Sequence, residues 1–214
     1  MFDRIAPVYD AMNRVMTVGL DLRWRRLAAT SVVQPGDCVL DAACGTGDLA
    51  IADRAAGALT VTGLDFSERM LARARRKAPT LEWVVGDLLE LPFEAGTFDA
   101  ATIGFGIRNV SDLEGGLAEL RRVLRPGGRL AILEITRPRG VLKPFFSIWF
   151  DRVVPALGRV LPGGAAYSYL PASVARFPVA EELASMMGRA GFAEVEFRLL
   201  AGSIIALHTG RATE

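Results

Sequence analysis

The chain has 214 residues, of which 51% are hydrophobic and 23% charged, and that balance excludes a disordered chain. Its 22 Gly and 11 Pro follow no period, which excludes a fibrous one. Twenty-five basic residues against 24 acidic leave a net charge of +1, whereas binding through phosphate neutralisation calls for a basic excess; nucleic acid is not expected as a partner.

The length predicts one domain, 1–214. Its first segment, 1–34, reads as helical: Ile5, Val8, Tyr9, Met12 and Val15/Met16 recur at three- and four-residue spacing. Gly19 breaks that pattern, and a second helical stretch runs from Leu22 to Val33. After the turn Pro35-Gly36-Asp37 the texture becomes short apolar runs separated by helical patterns. Strands are predicted at Cys38–Ala42, at Leu59–Leu64 (ended by Asp65), at Leu81–Val85 (ended by Gly86-Asp87), at Phe98–Ile103 (ended by Gly104) and at Arg129–Ile135. Helices are predicted from Asp48, from Ser67, and over Asp112–Leu124, the last stopped by Arg125-Pro126-Gly127-Gly128. This alternation predicts a parallel sheet with right-handed crossovers. An irregular apolar segment follows, 138–177, then a helix over Val179–Ala190 and two strands, Ala193–Leu200 and Ser203–His208, close enough to be antiparallel.

Cys38 and Cys44 are the only cysteines. Two thiols make neither a disulfide framework nor a four-ligand zinc site, so the expected compartment is a reducing cytoplasm and no metal is implied. Phe2-Asp3-Arg4 does not start a signal peptide. The longest uncharged run, Val160–Ala175, is too short to span a bilayer and is interrupted by Pro162, Gly163, Gly164 and Pro171. Even so, a mean hydropathy of +0.29 is high for a soluble chain and fits one that handles something greasy.

The most informative segment is Val39-Leu40-Asp41-Ala42-Ala43-Cys44-Gly45-Thr46-Gly47-Asp48. It puts a glycine-rich turn between the first strand and the next helix, where open parallel sheets bind ligands. Gly45-x-Gly47-x-x-Ala50, with Asp65 at the ribose position, also fits a dinucleotide fingerprint and hence a nicotinamide-dependent oxidoreductase. Charge separates the two readings. A pyrophosphate needs the bare positive end of the helix, but here Asp41 ends the strand and Asp48 starts the helix. Two carboxylates suit a cationic ligand without phosphate. S-adenosylmethionine is such a ligand, with a sulfonium, an ammonium, a ribose diol and an adenine. Asp65 at the second strand tip is placed to accept the ribose hydroxyls, and Asp87 at the third to accept the adenine amino group. For any one Asp the ordinary role is a turn or cap; three acids at successive strand tips are a rarer pattern.

The chain also resembles the ubiquinone/menaquinone biosynthesis C-methyltransferases nearly end to end. The likeness rests on Phe2-Asp3-x-Ile5-Ala6-x-x-Tyr9-Asp10-x-Met12-Asn13, Gly19-x-x-x-x-Trp24-Arg25, the glycine loop, Asp65-Phe66-Ser67-x-x-Met70-Leu71, Leu91-Pro92-Phe93 and Gly104-Phe105-Gly106-Ile107-Arg108-Asn109. Tyr169-Leu170-x-x-Ser173 and Ala206-Leu207-His208-x-Gly210 continue it. The resemblance implies an α/β fold, the Rossmann-like class I S-adenosylmethionine-dependent methyltransferase, with a seven-stranded mostly parallel sheet whose last strand is antiparallel. It implies methyl transfer from S-adenosyl-L-methionine to a ring carbon of a polyprenylated demethylquinol, 2-demethylmenaquinol to menaquinol. A ubiquinone precursor or another lipophilic acceptor is the alternative. Cofactor contacts are expected at Asp41, Gly45, Thr46, Gly47, Asp65, Phe66, Asp87, Leu88 and Gly104. Many family members carry Ser where this chain has Gly104, so a hydroxyl is lost there.

A phenolic hydroxyl with a pKa of about 10 needs help to activate its ring carbon at neutral pH. Arg108 and Asn109 follow the fourth strand, on the expected acceptor side. Arg108 is too basic to act as a base but suits a phenolate; the bland alternative is an ion pair with Asp112. Asn109 would hold the quinol oxygen or serve as a turn residue. His208, the single histidine, is a candidate base or a hydrogen-bonded strand-end residue. Tyr9 either closes over the site or packs its helix. Phe145, Phe146, Ile148, Trp149, Phe150, Val153, Val154 and Leu157 form an apolar band within 138–177. It is expected to line a polyprenyl tunnel, lie on the inner face of the cell membrane as a transient peripheral contact, cover the core or join a homo-oligomer.

Overall fold

The structure, a computed structural model, describes residues 9–137 and 165–214. The short apolar runs form the strands β1 (Cys38–Ala42), β2 (Thr60–Asp65), β3 (Glu82–Val85), β4 (Phe98–Gly104), β5 (Leu124–Ile135), β6 (Phe192–Leu200) and β7 (Ile205–Ala212). Between and around them lie α1 (Tyr9–Thr17), α2 (Leu20–Val32), α3 (Asp48–Ala55), α4 (Glu68–Lys77), α5 (Leu113–Val123), α6 (Ala165–Arg176) and α7 (Ala180–Arg189). One sheet takes all seven strands in the order β3-β2-β1-β4-β5-β7-β6. β1 to β5 run parallel, and β7 runs antiparallel to both β5 and β6.

Side chains alternate across each strand, so neighbouring residues feed opposite layers. Leu40, Ala42, Ile103 and Ile132 pack with Leu117 and Leu120 of α5 and with Leu183 and Met187 of α7. Val39, Val61, Ala100, Ala131 and Leu207 pack with Ala28, Ala29 and Val32 of α2 and with Leu49 and Ala50 of α3. By the same alternation Asp41, Asp65 and Thr102 face the α2/α3 layer, while Glu134 and His208 face the α5/α7 layer. The chain reverses its direction of travel across the sheet between β1 and β4, and the crevice above that point is where such sheets hold ligands.

Two helix starts are capped by side chains. The Ser67 hydroxyl accepts from the Met70 amide at 3.2 Å, and the Asp112 carboxylate accepts from the Gly115 amide at 3.0 Å. Several boundaries differ from expectation. α2 starts at Leu20, directly after Gly19 in the left-handed region at φ 74. β5 starts at Leu124, because Leu124 pairs with Phe98 ahead of an irregularity in the register. β7 runs on to Ala212, paired throughout with β6 and β5. Residues 165–176, predicted irregular, form α6 with Pro171 inside it, at the loss of one main-chain donor. The rest of that segment, 138–164, with its apolar band, lies outside the described residues. Among the described residues no helix is long and apolar enough to cross a membrane.

Candidate active site

β1 delivers Asp41 to the crevice, and the chain then turns through Ala43–Gly47 into α3. Tight packing dictates this turn. Gly47 has φ +83, and a Cβ there would stand 2.4 Å from the Trp83 ring. A Cβ on Gly106 would stand 2.8 Å from the Cβ of Ala43. Ala43 (φ 52) and Phe105 (φ 61) themselves sit in the left-handed region that side chains disfavour. Both border the same cleft, and strain of this kind concentrates at ligand sites.

Asp41, Gly45, Thr46, Asp65, Phe66, Gly104 and Asn109 line the cleft. Asp87 and Leu88 line a groove that also holds Asp65, Phe66 and Asn109, so the two hollows share one wall. Asp65 is fixed by the amides of Gly45 (2.8 Å) and Ser67 (2.9 Å), which ties the second strand tip to the glycine loop. Asp87 accepts from the Leu89 amide at 3.0 Å.

Asp41 is the least satisfied of these acids. One oxygen accepts from the Ala50 amide at 2.8 Å; the other is buried without a partner. Burial, then the nearby Asp53 carboxylate, hold its pKa well above the usual range, against the pull of the Ala50 amide and Arg25. The Cys44 thiol is also pushed up, first by burial and then by Asp41 and Asp65. The loop therefore presents buried acceptors.

The other predicted acid, Asp48, is already matched. Lys77 Nζ stands 2.8 Å from it and Arg14 Nη2 3.3 Å away. Burial pushes its pKa up, but the Lys77 hydrogen bond and the charges of Lys77, Arg25 and Arg14 together hold it below the usual value. With Asp48 matched, Asp41 and Asp65 are the acids left facing the cleft. Thr46 is likewise engaged, donating to Asp10 at 2.5 Å and accepting from Lys77 at 3.0 Å. Lys77 also pairs with Asp10 at 2.7 Å, which straps α1 onto the glycine loop.

Arg108 does not pair with Asp112, whose carboxylate caps α5. Its guanidinium instead lies 2.7 Å from the buried Glu134 of β5 and bonds the Phe105 carbonyl. It does not line the cleft, so a direct role on a phenolate gives way to one of bracing. Asn109, beside it, does line the cleft, and its Oδ1 is buried without a partner. His208 sits inside β7 rather than at a strand end, 1% exposed, on the sheet face opposite Asp41. Its Nε2 bonds the Ala180 carbonyl at 2.8 Å, so Nε2 carries the proton and the free lone pair belongs to the buried Nδ1. A base must reach the proton it removes; His208 is not among the described residues that line the cleft, which speaks against that role. The side chain of Tyr9 lies outside the described residues.

Several residues escaped the sequence reading. Arg25 of α2 reaches the cleft, held 2.7 Å from the buried Asp21 with its guanidinium 5.1 Å from the centroid of the Phe105 ring. Asp53 and Glu134 lie almost wholly buried. Each interrupts an apolar stripe or run, and that interruption was the available signal. The orphaned oxygen of Asp41, the open room against Gly45 and the Asp65–Asp87 wall together fit a ligand with a cationic end, a diol and a flat polar ring.

Known proteins bear on what that ligand is. Residues 1–212 match the model of the ubiE/COQ5 methyltransferase family. A demethylmenaquinone methyltransferase of Thermus thermophilus is 47% identical, covering 98% of this chain and 99% of its own length. One from Deinococcus radiodurans is 43% identical (98% and 90%). A ubiquinone/menaquinone biosynthesis C-methyltransferase of Geotalea daltonii is 40% identical (98% and 94%). Among solved structures, a SAM-dependent methyltransferase from Thermotoga maritima superposes with a TM-score of 0.69 at 21% identity, over 100% of both chains. The cyclase SpnF reaches 0.69 at 20% identity, over 90% of this chain and 80% of its own. At that identity the structures speak for the fold alone, and the presence of a cyclase among them shows that this fold does not fix the reaction. The sequence match over nearly the whole chain does what the fold cannot: this protein belongs to the ubiE/COQ5 methyltransferase family.

Proposed function

We propose that this S-adenosylmethionine-dependent methyltransferase, acting as one domain over 1–214, methylates a ring carbon of a polyprenylated demethylquinol, 2-demethylmenaquinol, to give menaquinol. One observation carries the reading: the 47% identity, over 98% of this chain, to a relative named for demethylmenaquinone. The cofactor, when bound, supplies an electrophilic methyl group on a sulfonium. Asp41 would hold its cationic end, Asp65 the ribose diol, and Asp87 with Leu88 the adenine edge. Gly45, Gly47 and Gly104 leave backbone room for it, and Phe66 stands at the rim.

The acceptor side falls to Asn109. Its partnerless Oδ1 would accept from a quinol hydroxyl and draw charge toward the ring carbon as that proton is lost. Arg108, clamped on Glu134, would fix the turn that carries Asn109. Closing the cleft to water would favour the uncharged products of the transfer over a charged reactant pair.

A membrane-surface contact would bring a polyprenyl tail within reach. Arg23, Arg26 and Arg198 line a shallow groove with Trp24, Leu27 and Leu200. Val18 and Leu20 are exposed at the adjacent α1–α2 turn. Cationic heads beside apolar side chains suit an anionic lipid surface.

The test is mass spectrometry of quinones after incubation with S-adenosylmethionine. Reduced demethylmenaquinone and the demethyl ubiquinone precursor would be supplied together in vesicles, anionic or zwitterionic. One added methyl on demethylmenaquinol, formed faster on anionic vesicles, is the expected result. A methyl on the ubiquinone precursor alone would give the second reading, which the dual name of the Geotalea daltonii relative favours. No methyl on either, with the cofactor bound, would overturn the quinol assignment.

A further inference from the structure

Beneath the cleft lies a second acid that the mechanism above does not use. Asp53 occupies the last turn of α3, on the stripe that also carries Leu49 and Ala50 into the core. It is 0% exposed, as is Asp41. One Asp53 oxygen accepts from the Thr102 hydroxyl of β4 at 2.7 Å. The other is buried without a partner, and so is the Oδ1 of Asp41. The orphans therefore come as a pair in the α2/α3 layer, with Thr102 bonded to Asp53 and in register with Asp41.

The groups around the pair are few. Toward Asp41 these are Asp53 from α3, Asp65 from β2, Arg25 from α2 and the thiol of Cys44 from the glycine loop. Among the described residues, Asp53 is the strongest charge acting on Asp41, and Arg25 is the one that opposes it. Arg25 is itself held by Asp21. Toward Asp53 stand Thr102 and Asp41. Two carboxylates in such a place do not both ionise while each lacks a cation of its own, and they titrate as a unit.

We propose that Asp53 is a positioning residue for the cofactor: below neutral pH the free Asp41–Asp53 pair carries two protons, and binding of the cationic cofactor against Asp41 expels the one on Asp41. Asp53 holds the remaining proton and so stays neutral behind the ionised Asp41. This rests on the cofactor reading, because it is the ligand's positive charge that makes ionised Asp41 the favoured form. Burial raises Asp53 to about 7 even with the Thr102 hydrogen bond pulling it down, so the exchange falls near neutral pH. The sign follows from linkage. A ligand that binds the deprotonated form binds better as pH rises toward the free-state pKa and loses affinity below it, by about tenfold per pH unit for one proton.

The test is calorimetric titration of the wild-type chain with S-adenosylmethionine in buffers of differing ionisation heat, from pH 5.5 to 8.5. Expected are release of a fraction of a proton up to about one per site, and weaker binding at the acid end. Asp53→Asn keeps a partner for Thr102 and removes the second charge. It fixes the neutral form, so proton release at pH 6 should be kept, and binding at pH 8, where wild-type Asp41 competes with Asp53 for the last proton, should be several-fold tighter. Thr102→Val, which strips the hydrogen bond that favours ionised Asp53, should act in the same direction by less. A merely structural role for Asp53 would change affinity equally at pH 6 and pH 8. Binding with no proton exchange at any pH overturns the proposal and leaves the cofactor standing; no binding at any pH overturns the cofactor reading as well. The wild-type measurement decides even if a variant fails to fold.

Discussion

Two buried acids mark opposite ends of one design. Glu134 of β5 and Asp41 of β1 are each 1% exposed or less, near the carboxyl ends of strands one position apart on either side of β4. Glu134 is fully answered: Arg108 Nη1 stands 2.7 Å away, and the amides of Ile135 (2.8 Å) and Arg108 (3.3 Å) donate to it. Asp41 is answered by one amide and an orphaned oxygen. The β5 side is closed by the fold, and the β1 side is not. Burying an unmatched acid costs stability, so the two tips spend the same residue chemistry on different ends.

The sharpest way to break the comparison is at Glu134. Glu134→Ala strands the Arg108 guanidinium, whose side chain is only 10% exposed. Removing one partner of a buried pair costs about 3–5 kcal/mol, which in a chain of this length lowers Tm by roughly 10 °C. Thermal melts followed by circular dichroism measure it. A drop of only a degree would mean that the pair is not what holds the turn before α5.

The mirror substitution is Asp41→Asn. Its expected signature is the reverse: Tm unchanged or higher, because an unmatched acid has gone, and affinity for S-adenosylmethionine lower. The loss should be about tenfold to a hundredfold, matching the ~1.5–3 kcal/mol of a hydrogen bond to a charged group. Fluorescence titration reads the affinity on the same samples used for the melts. Wild-type affinity in this variant would take Asp41 out of the site and remove the contrast with Glu134.

How much of this could be read in advance divides along the same line. Strand–helix alternation, the glycine loop and the acids at the strand tips are local patterns, with signals spanning a few residues. They placed five parallel strands and brought Asp41, Asp65 and Asp87 to one crevice. What stayed hidden depends on partners far along the chain. Arg108 could be assigned to Asp112 by spacing, but Glu134, 26 residues away, claims it through the register of β4 and β5. The neutralisation of Asp48 by Lys77 spans 29 residues and needs α4 folded against the loop. His208 was read at a strand end because the extent of β7 is set by pairing with β5 and β6 rather than by its own sequence. Asp53 and Glu134 did leave a local trace, a charge where an apolar stripe should continue, which signals a buried polar partner without naming it.

The smallest expected effect sharpens the contrast between the two sheet faces through pH. Burial, outweighing the Ala180 carbonyl and Glu181, lowers the pKa of His208 below its usual 6.5. Below the unfolded value the unfolded chain then binds more protons than the folded one, so this residue subtracts stability as pH falls through about 6.5. Asp53, raised to about 7, has the opposite sign: the folded state holds the extra proton, and stability declines as pH rises from about 4 through 7. His208→Gln keeps a donor for the Ala180 carbonyl and removes the titration. Its Tm relative to wild type should therefore rise by on the order of a degree or two between pH 7.5 and 5.5. Methyl transfer at pH 7.5 should persist, since His208 is not among the described residues that line the cleft. A constant Tm difference across that range would mean that His208 is not buried as the structure places it, and loss of turnover with folding intact would restore it as a candidate base.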